Sequence, residues 1–278
     1  MANYFISYGD KRCEVSLWRI ARQAKYTGLF EHIIKYTPKD LPYYIKSSPL
    51  FTFDRGGGYW SWKPWIIYHT LQQCRDNDVV WYADAGCSLV NDSPEWSQLS
   101  ELIKNHGAIF FQYREGVDYN WASKCRYPEN NHPAIKHWTK PSVLQYFSTF
   151  IDDGFKDYNK ISCGFMLFRK VKNHPSLILN DWLHITLFHP ELLSDPFGQD
   201  LTHVPREYAA HRHDQSIVTP LVYHYRYADD AIVLKETYES RVGCPCVIAT
   251  RWRRGPWLLY IKMLVWNVIH RKSFSLKI

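Results

Sequence analysis

Several things are missing from this 278-residue chain, and each absence removes a class of function. Its most apolar run, Trp257 to Ile269, falls short of the roughly 20 residues a membrane-crossing helix needs. The start, Met1-Ala2-Asn3-Tyr4-Phe5-Ile6-Ser7-Tyr8, lacks the basic stretch and apolar core of a secretory signal, which predicts a body that stays in the cytoplasm. The pattern GxxxxGK(S/T) is absent, so the chain is not a P-loop nucleotide hydrolase. Its seven cysteines are odd in number and scattered without a framework, which fits reduced thiols. Cys244-Pro245-Cys246 has no second pair at zinc spacing. Internal repeats and low-complexity tracts are lacking too.

Charge is missing from one place in particular. From Arg251 to Ile278 there is no Asp or Glu, while Arg251, Arg253, Arg254, Lys262, Arg271, Lys272 and Lys277 are all basic. Those seven equal the formal net charge of +7, so residues 1–250 are balanced and offer no basic face for nucleic acid. Pro256 suits a first helical turn, Lys262 is long enough to snorkel, and Trp257 and Trp266 suit a headgroup layer. Residues 251–278 are expected to lie as an amphipathic helix on an anionic membrane surface; the other reading is a core-packed helix with a basic end.

What is present is a strand-and-helix alternation with many aromatics, 17% of the chain. Tyr4–Tyr8, His32–Tyr36, Val79–Tyr82, Ala108–Gln112 and Ser162–Arg169 read as strands. Val15–Tyr26 (with Gly28 at its end), Trp65–Cys74, a helix opened by Ser93-Pro94-Glu95, and Ser176–Phe188 read as helices. This predicts one α/β domain over residues 1–250, with a mostly parallel central sheet flanked by helices. Residues 113–160, with Trp121, His132, His137 and Trp138, look like an inserted lid or acceptor-facing region. Pro190–Pro205 reads as a loop.

Three segments carry chemistry. Asn77-Asp78-Val79-Val80-Trp81-Tyr82-Ala83-Asp84-Ala85-Gly86 is a buried strand that delivers one carboxylate, Asp84, into a small-residue turn. Ligands sit at the carboxyl ends of strands in open α/β sheets, so Asp84 is placed either to hold a cation or to cap its own turn. Arg55-Gly56-Gly57-Gly58 offers backbone NH groups and a guanidinium ahead of a helix that begins with the cation Lys63, a recipe for phosphate. Gly164 interrupts a strand, which marks a close approach or a bulge. His211-Arg212-His213-Asp214-Gln215-Ser216 brings a carboxylate, an amide and two imidazoles together; Asp214 reads as a general base or as a helix cap.

In this order the segments Tyr4 to Asp10, Arg55 to Pro64, Trp81 to Cys87, Cys163 to Lys170 and His211 to Ser216 resemble bacterial GT-A type glycosyltransferases of surface-polysaccharide assembly (capsule, O-antigen, lipopolysaccharide). The likeness runs from about residue 3 to 225. It implies a single Rossmann-like GT-A domain that takes a nucleoside-diphosphate sugar, UDP-linked by preference. A hexosyl group would pass to a hydroxyl of a glycan or lipid-linked acceptor on the cytoplasmic face of the membrane. It implies Mn²⁺ or Mg²⁺ held by a DXD motif, but position 82, two before Asp84, is Tyr, so another ligand such as His211, His213 or Asp214 is needed, or an ion carried by the diphosphate. Ser7, Tyr8, Gly9, Asp10, Arg55, Gly57, Lys63, Asp84, Ala85 and Gly86 would form the donor site, and Asp84 and His211 the metal site. Cys163, Gly164 and His213 would face the acceptor or sugar, and Asp214 and Gln215 the reaction. The rivals are a nucleotidyltransferase, for which an early glycine-rich loop with Arg and Lys is missing, and a sugar-binding scaffold without turnover.

Overall fold

The computed structural model describes residues 1–117, 119, 132–202, 204–251 and 265. Strands β1 (Asn3–Tyr8), β2 (His32–Tyr36), β3 (Val79–Ala83), β4 (Ser88–Leu89), β5 (Ala108–Gln112), β6 (Ile161–Arg169), β7 (Ala231–Lys235) and β8 (Val247–Ile248) form two sheets. The main sheet runs β2-β1-β3-β6-β5-β7, and β4 pairs with β8. The β1–β2, β1–β3 and β5–β7 pairs are parallel. Strand β6 is antiparallel to both β3 and β5, so five strands share one direction and the sixth, which carries Gly164, runs against them.

Period-two alternation splits each strand between two cores. Ile6, Val80, Tyr82, Phe110, Met166 and Phe168 pack on one face against helices Lys63–Gln73, Leu177–Phe188 and Asp214–Tyr225. Phe5, Val79, Trp81, Ile109, Phe111, Phe165 and Leu167 pack on the other against helices Glu14–Thr27 and Glu95–Leu102. Trp81 is fully buried, and its indole NH donates to Asn3 Oδ1 at 2.9 Å, so a large apolar ring is buried without an unpaired donor. Truncating such a ring typically costs about 3–5 kcal/mol.

Local chemistry sets the boundaries. Gly28 takes the left-handed conformation (φ 67°) that ends helix Glu14–Thr27. Ser176 caps helix Leu177–Phe188 by accepting from Leu179 N, and Asp229 accepts from Leu177 N and Ile178 N.

The region expected as a lid is part of the core where it is described. Trp138, Phe147 and Phe155 are fully buried, and Pro141–Ser148 is a helix whose Val143 and Phe147 join the same core as Ile217 and Val218. Residues 132–160 send no side chain into the cleft described below. Trp121 and Cys125 lie outside the described residues. So does the C-terminal segment expected on a membrane, apart from Arg251 and Val265. Among the described residues, no helix is long and apolar enough to cross a membrane.

Candidate active site

A cleft of about 600 Å³ opens at the carboxyl ends of β1 and β3, the end of an α/β sheet where ligands bind. Tyr8, Gly9 and Asp10 follow β1 into it, and Asp84, Ala85 and Gly86 follow β3. Cys163 and Gly164 enter from β6, His213, Asp214 and Gln215 from the start of helix Asp214–Tyr225, and Arg55, Gly57 and Lys63 from the glycine turn. Ser7 and His211 do not reach it. Ser7 is buried, with no partner for its hydroxyl among the described residues. His211 donates from Nε2 to Leu192 O at 2.9 Å and accepts at Nδ1 from Lys140 N, so both ring nitrogens are spent away from Asp84.

Two amides of the glycine turn are already used within the loop. Gly57 N donates to Asp54 O and Gly58 N to Phe53 O. Its five residues Gly56 to Trp60 all have positive φ, from 54° to 94°. Tyr59 and Trp60 pay roughly 1–2 kcal/mol each for that left-handed backbone. Helix Lys63–Gln73 follows the run and starts with Lys63, whose Nζ lies 3.3 Å from Asp84 Oδ1 just past β3. Gly57 faces the cleft: a Cβ there would stand 3.4 Å from Asp10 Oδ2. Trp62 seals the turn by donating to Gly56 O at 3.0 Å and stacking on Tyr8 at 3.9 Å. Arg55 is paired with Asp195 at 2.7 Å on the rim. Arg12 joins Asp10 (2.8 Å) to Asp54 (3.2 Å) across the mouth.

Lys63 is the centre of the site. Its side chain is 1% exposed, and Nζ donates to Asp214 Oδ2 at 2.5 Å and to Cys163 O at 2.9 Å. It also lies 3.3 Å from Asp84 Oδ1. The expected phosphate-facing cation is instead a buried tie between two carboxylates. Burial alone would lower the ammonium's pKa, but Asp214 and Asp84 outweigh it and hold Lys63 above the ordinary lysine range. Burial raises Asp214, only partly countered by Lys63. Asp84 does not use its side chain to cap the turn; its backbone O takes the Cys87 NH, while Oδ1 accepts from Tyr82 Oη and faces Lys63. The Tyr that departs from DXD is thus a hydrogen-bond donor to the Asp that remains.

Gly164 closes the same corner. Its O accepts from Asp84 N at 2.9 Å and its NH donates to Tyr238 Oη at 3.2 Å. Gln215 turns a buried Oε1 with no partner among the described residues into the cleft wall, its Nε2 reaching Tyr113 Oη at 3.5 Å. His213 donates from Nδ1 to Leu193 O at 2.7 Å, which leaves Nε2 as a buried acceptor without a hydrogen-bond partner among the described residues. Its ring lies against Trp60 at 5.5 Å.

Sequence reasoning missed four contributors. Arg19, buried in helix Glu14–Thr27, donates to Ala85 O (2.8 Å), Cys87 O (2.6 Å) and Ser88 Oγ (2.6 Å), and so fixes the turn that holds Asp84. Its place between Leu17 and Ile20, among the buried residues of the helix, was the available signal. Tyr238, Glu239 and Arg251 wall the cleft from beyond β7.

A resident divalent ion does not fit these residues. No group of three His, Cys, Asp or Glu able to hold a metal exists among the described residues. Asp84 Oδ1 already faces a phenol and an ammonium, Asp214 is bound to Lys63, and position 86 has no side chain.

No family model matches the sequence, and no curated protein matches it. Solved structures similar to it include a glycosyltransferase involved in glycosylation of the major capsid of PBCV-1 (12% identity, 88% of this chain and 86% of that one, TM-score 0.41). Mouse xyloside xylosyltransferase 1 is another (10%, 92% and 100%, 0.44), and the galactosyltransferase LgtC a third (12%, 84% and 74%, 0.38). At such low similarity the residues of the cleft, not these neighbours, carry the chemistry.

Proposed function

We propose that the chain is a glycosyltransferase that binds a nucleoside-diphosphate sugar, UDP-linked by preference, and passes a hexosyl group to a hydroxyl of a glycan or lipid-linked acceptor in surface-polysaccharide assembly. The observation that carries this is the convergence of five separated segments on one cleft: the ends of β1 and β3, the glycine turn, Gly164 and Asp214-Gln215. Its volume suits a nucleotide sugar. In the reaction the C1–O bond to the β-phosphate breaks and a C1–O bond to the acceptor forms. The hydroxyl proton passes to Asp214, whose raised pKa makes it a stronger base than an ordinary carboxylate. Gln215 and His213 belong to the same wall of the cleft and would shape the space beside the reacting sugar. No step runs through a metal: at the Asp84 turn the divalent ion expected from the resemblance would meet Asp84 Oδ2 beside the buried Lys63 ammonium.

The basic, aromatic segment 251–278 brings this body to the anionic cytoplasmic face of a membrane, where a lipid-linked acceptor is presented. The test of the whole reading is donor hydrolysis or transfer with a panel of UDP-, GDP- and TDP-sugars, comparing wild type with Asp84→Ala and Asp214→Ala. Near-normal turnover in both variants would overturn the site assignment.

A further inference from the structure

We propose that this cleft binds its nucleoside diphosphate without a divalent ion, the Arg251 guanidinium supplying the positive charge beside the Asp84 turn. The inference rests on the donor-site reading above and departs from the metal that reading's family would imply.

Two observations point to Arg251. The first is its placement. Strand β8 pairs antiparallel with β4, Ile248 opposite Ser88, which lays the residues after β8 along the turn Asp84-Ala85-Gly86. Thr250 Oγ1 donates to Gly86 O at 2.9 Å and lies 3.0 Å from Ser88 Oγ, pinning the segment there. A Cβ on Gly86 would stand 3.6 Å from Arg251 Cα. Gly86 leaves this side of the turn without a side chain, and the Arg251 guanidinium chain starts beside it.

The second is how little of that guanidinium is used. Arg251 makes one hydrogen bond among the described residues, Nη2 to Glu239 Oε2 at 2.9 Å, and its side chain is 53% exposed at the cleft. Glu239 is itself held by Tyr113 Oη. A guanidinium has five donors in a planar fork that matches phosphate oxygens, so Arg251 can keep Glu239 and still grip a diphosphate. Lys63 adds to the case from below. Its ammonium, 3.3 Å from Asp84 Oδ1, neutralises the carboxylate that a cation would otherwise need and repels a dication placed near it.

The test is calorimetric titration of the full chain, stripped with EDTA, with UDP, GDP, CDP, ADP and TDP, each in EDTA and in MnCl₂. The expected result is that at least one diphosphate binds with a Kd equal in the two buffers to within about threefold, and that Arg251→Ala, with unchanged Tm, weakens it by about tenfold. A Kd more than about threefold tighter in MnCl₂, or a loss below about threefold in Arg251→Ala, overturns the inference and leaves the donor site standing. Binding of no diphosphate in either buffer overturns the donor-site reading and this inference with it.

Discussion

Lys63 and Asp214 meet at 2.5 Å inside the protein, an ammonium and a carboxylate with almost no solvent on either. Removing one partner of such a pair strands the other. Lys63→Met is expected to cost about 3–5 kcal/mol in urea unfolding, because Asp214 and Asp84 are left without a counter-charge. Adding Asp214→Asn to Lys63→Met should restore at least about 1 kcal/mol, since neighbours in one charge network are not additive. Strictly additive losses would show that the pair is not coupled.

The pH dependence of turnover follows from Asp214. Burial raises its pKa, so it is still protonated at a pH where an exposed Asp, near 3.8, has already ionised. A proton acceptor must be ionised, so kcat/KM is expected to rise with pH along a limb lying above the usual Asp range. Asp214→Asn should abolish the limb together with most of the activity; an unaltered limb in that variant would assign it to another group.

Gly164 has no room for a methyl group. A Cβ there would lie 3.0 Å from Tyr238 Oη and 3.3 Å from its ring, and 3.5 Å from Asp84 Oδ2. Gly164→Ala is therefore expected to destabilise by about 1–3 kcal/mol and to lower kcat by shifting the Asp84 corner. Wild-type Tm and kcat in this variant would refute the close packing.

Arg19 acts on the site through the turn it holds. Arg19→Met keeps the side chain's length and removes the donors to Ala85 O and Cys87 O. Amide hydrogen exchange at residues 84–88 should quicken and KM for the donor should rise, while β1 stays protected. Unchanged exchange at the turn would make Arg19 a packing residue only.

Acid should weaken the fold through His213. Burial pulls its imidazole from 6.5 down to about 4, so between those values the unfolded chain takes up a proton that the folded chain refuses. Stability is then complete above pH about 6.5 and falls as pH drops toward 4. His211, also held far below its ordinary range by burial, adds to the same slope. Replacing both with Gln should flatten Tm against pH in that window; the wild-type slope in the double variant would rule the histidines out.

Much of this was legible from local pattern. Strands β1, β2, β3 and β5 show as β-branched and aromatic runs, and Gly28 and Ser176 announce helix ends, because these signals live within a few residues. The direction of β6 was not legible, since antiparallel pairing to β3 is a contact between positions such as Tyr82 and Met166. The role of Lys63 was hidden for the same reason: nothing near it in sequence says that Asp84 and Asp214 lie on either side. Strands β4 and β8 are two residues each, too short for any periodicity, so the wall carrying Arg251 went unseen. Residues 113–160 read as a lid because they show no clear strand or helix pattern, yet within the described part Trp138, Phe147 and Phe155 are core.

The short β4–β8 ladder also decides where the chain can be cut. Thr250 clasps the Gly86 turn and Arg251 lines the cleft, so the first residue of the 251–278 segment proposed for the membrane is also part of the site. A protein ended at Ala249 would lose the clasp on Gly86 and the Glu239 partner, and a fall in activity would be misread as loss of membrane binding. One ended at Arg251 keeps the catalytic wall whole. Liposome flotation and turnover measured on that shorter protein therefore separate attachment from catalysis at a single peptide bond.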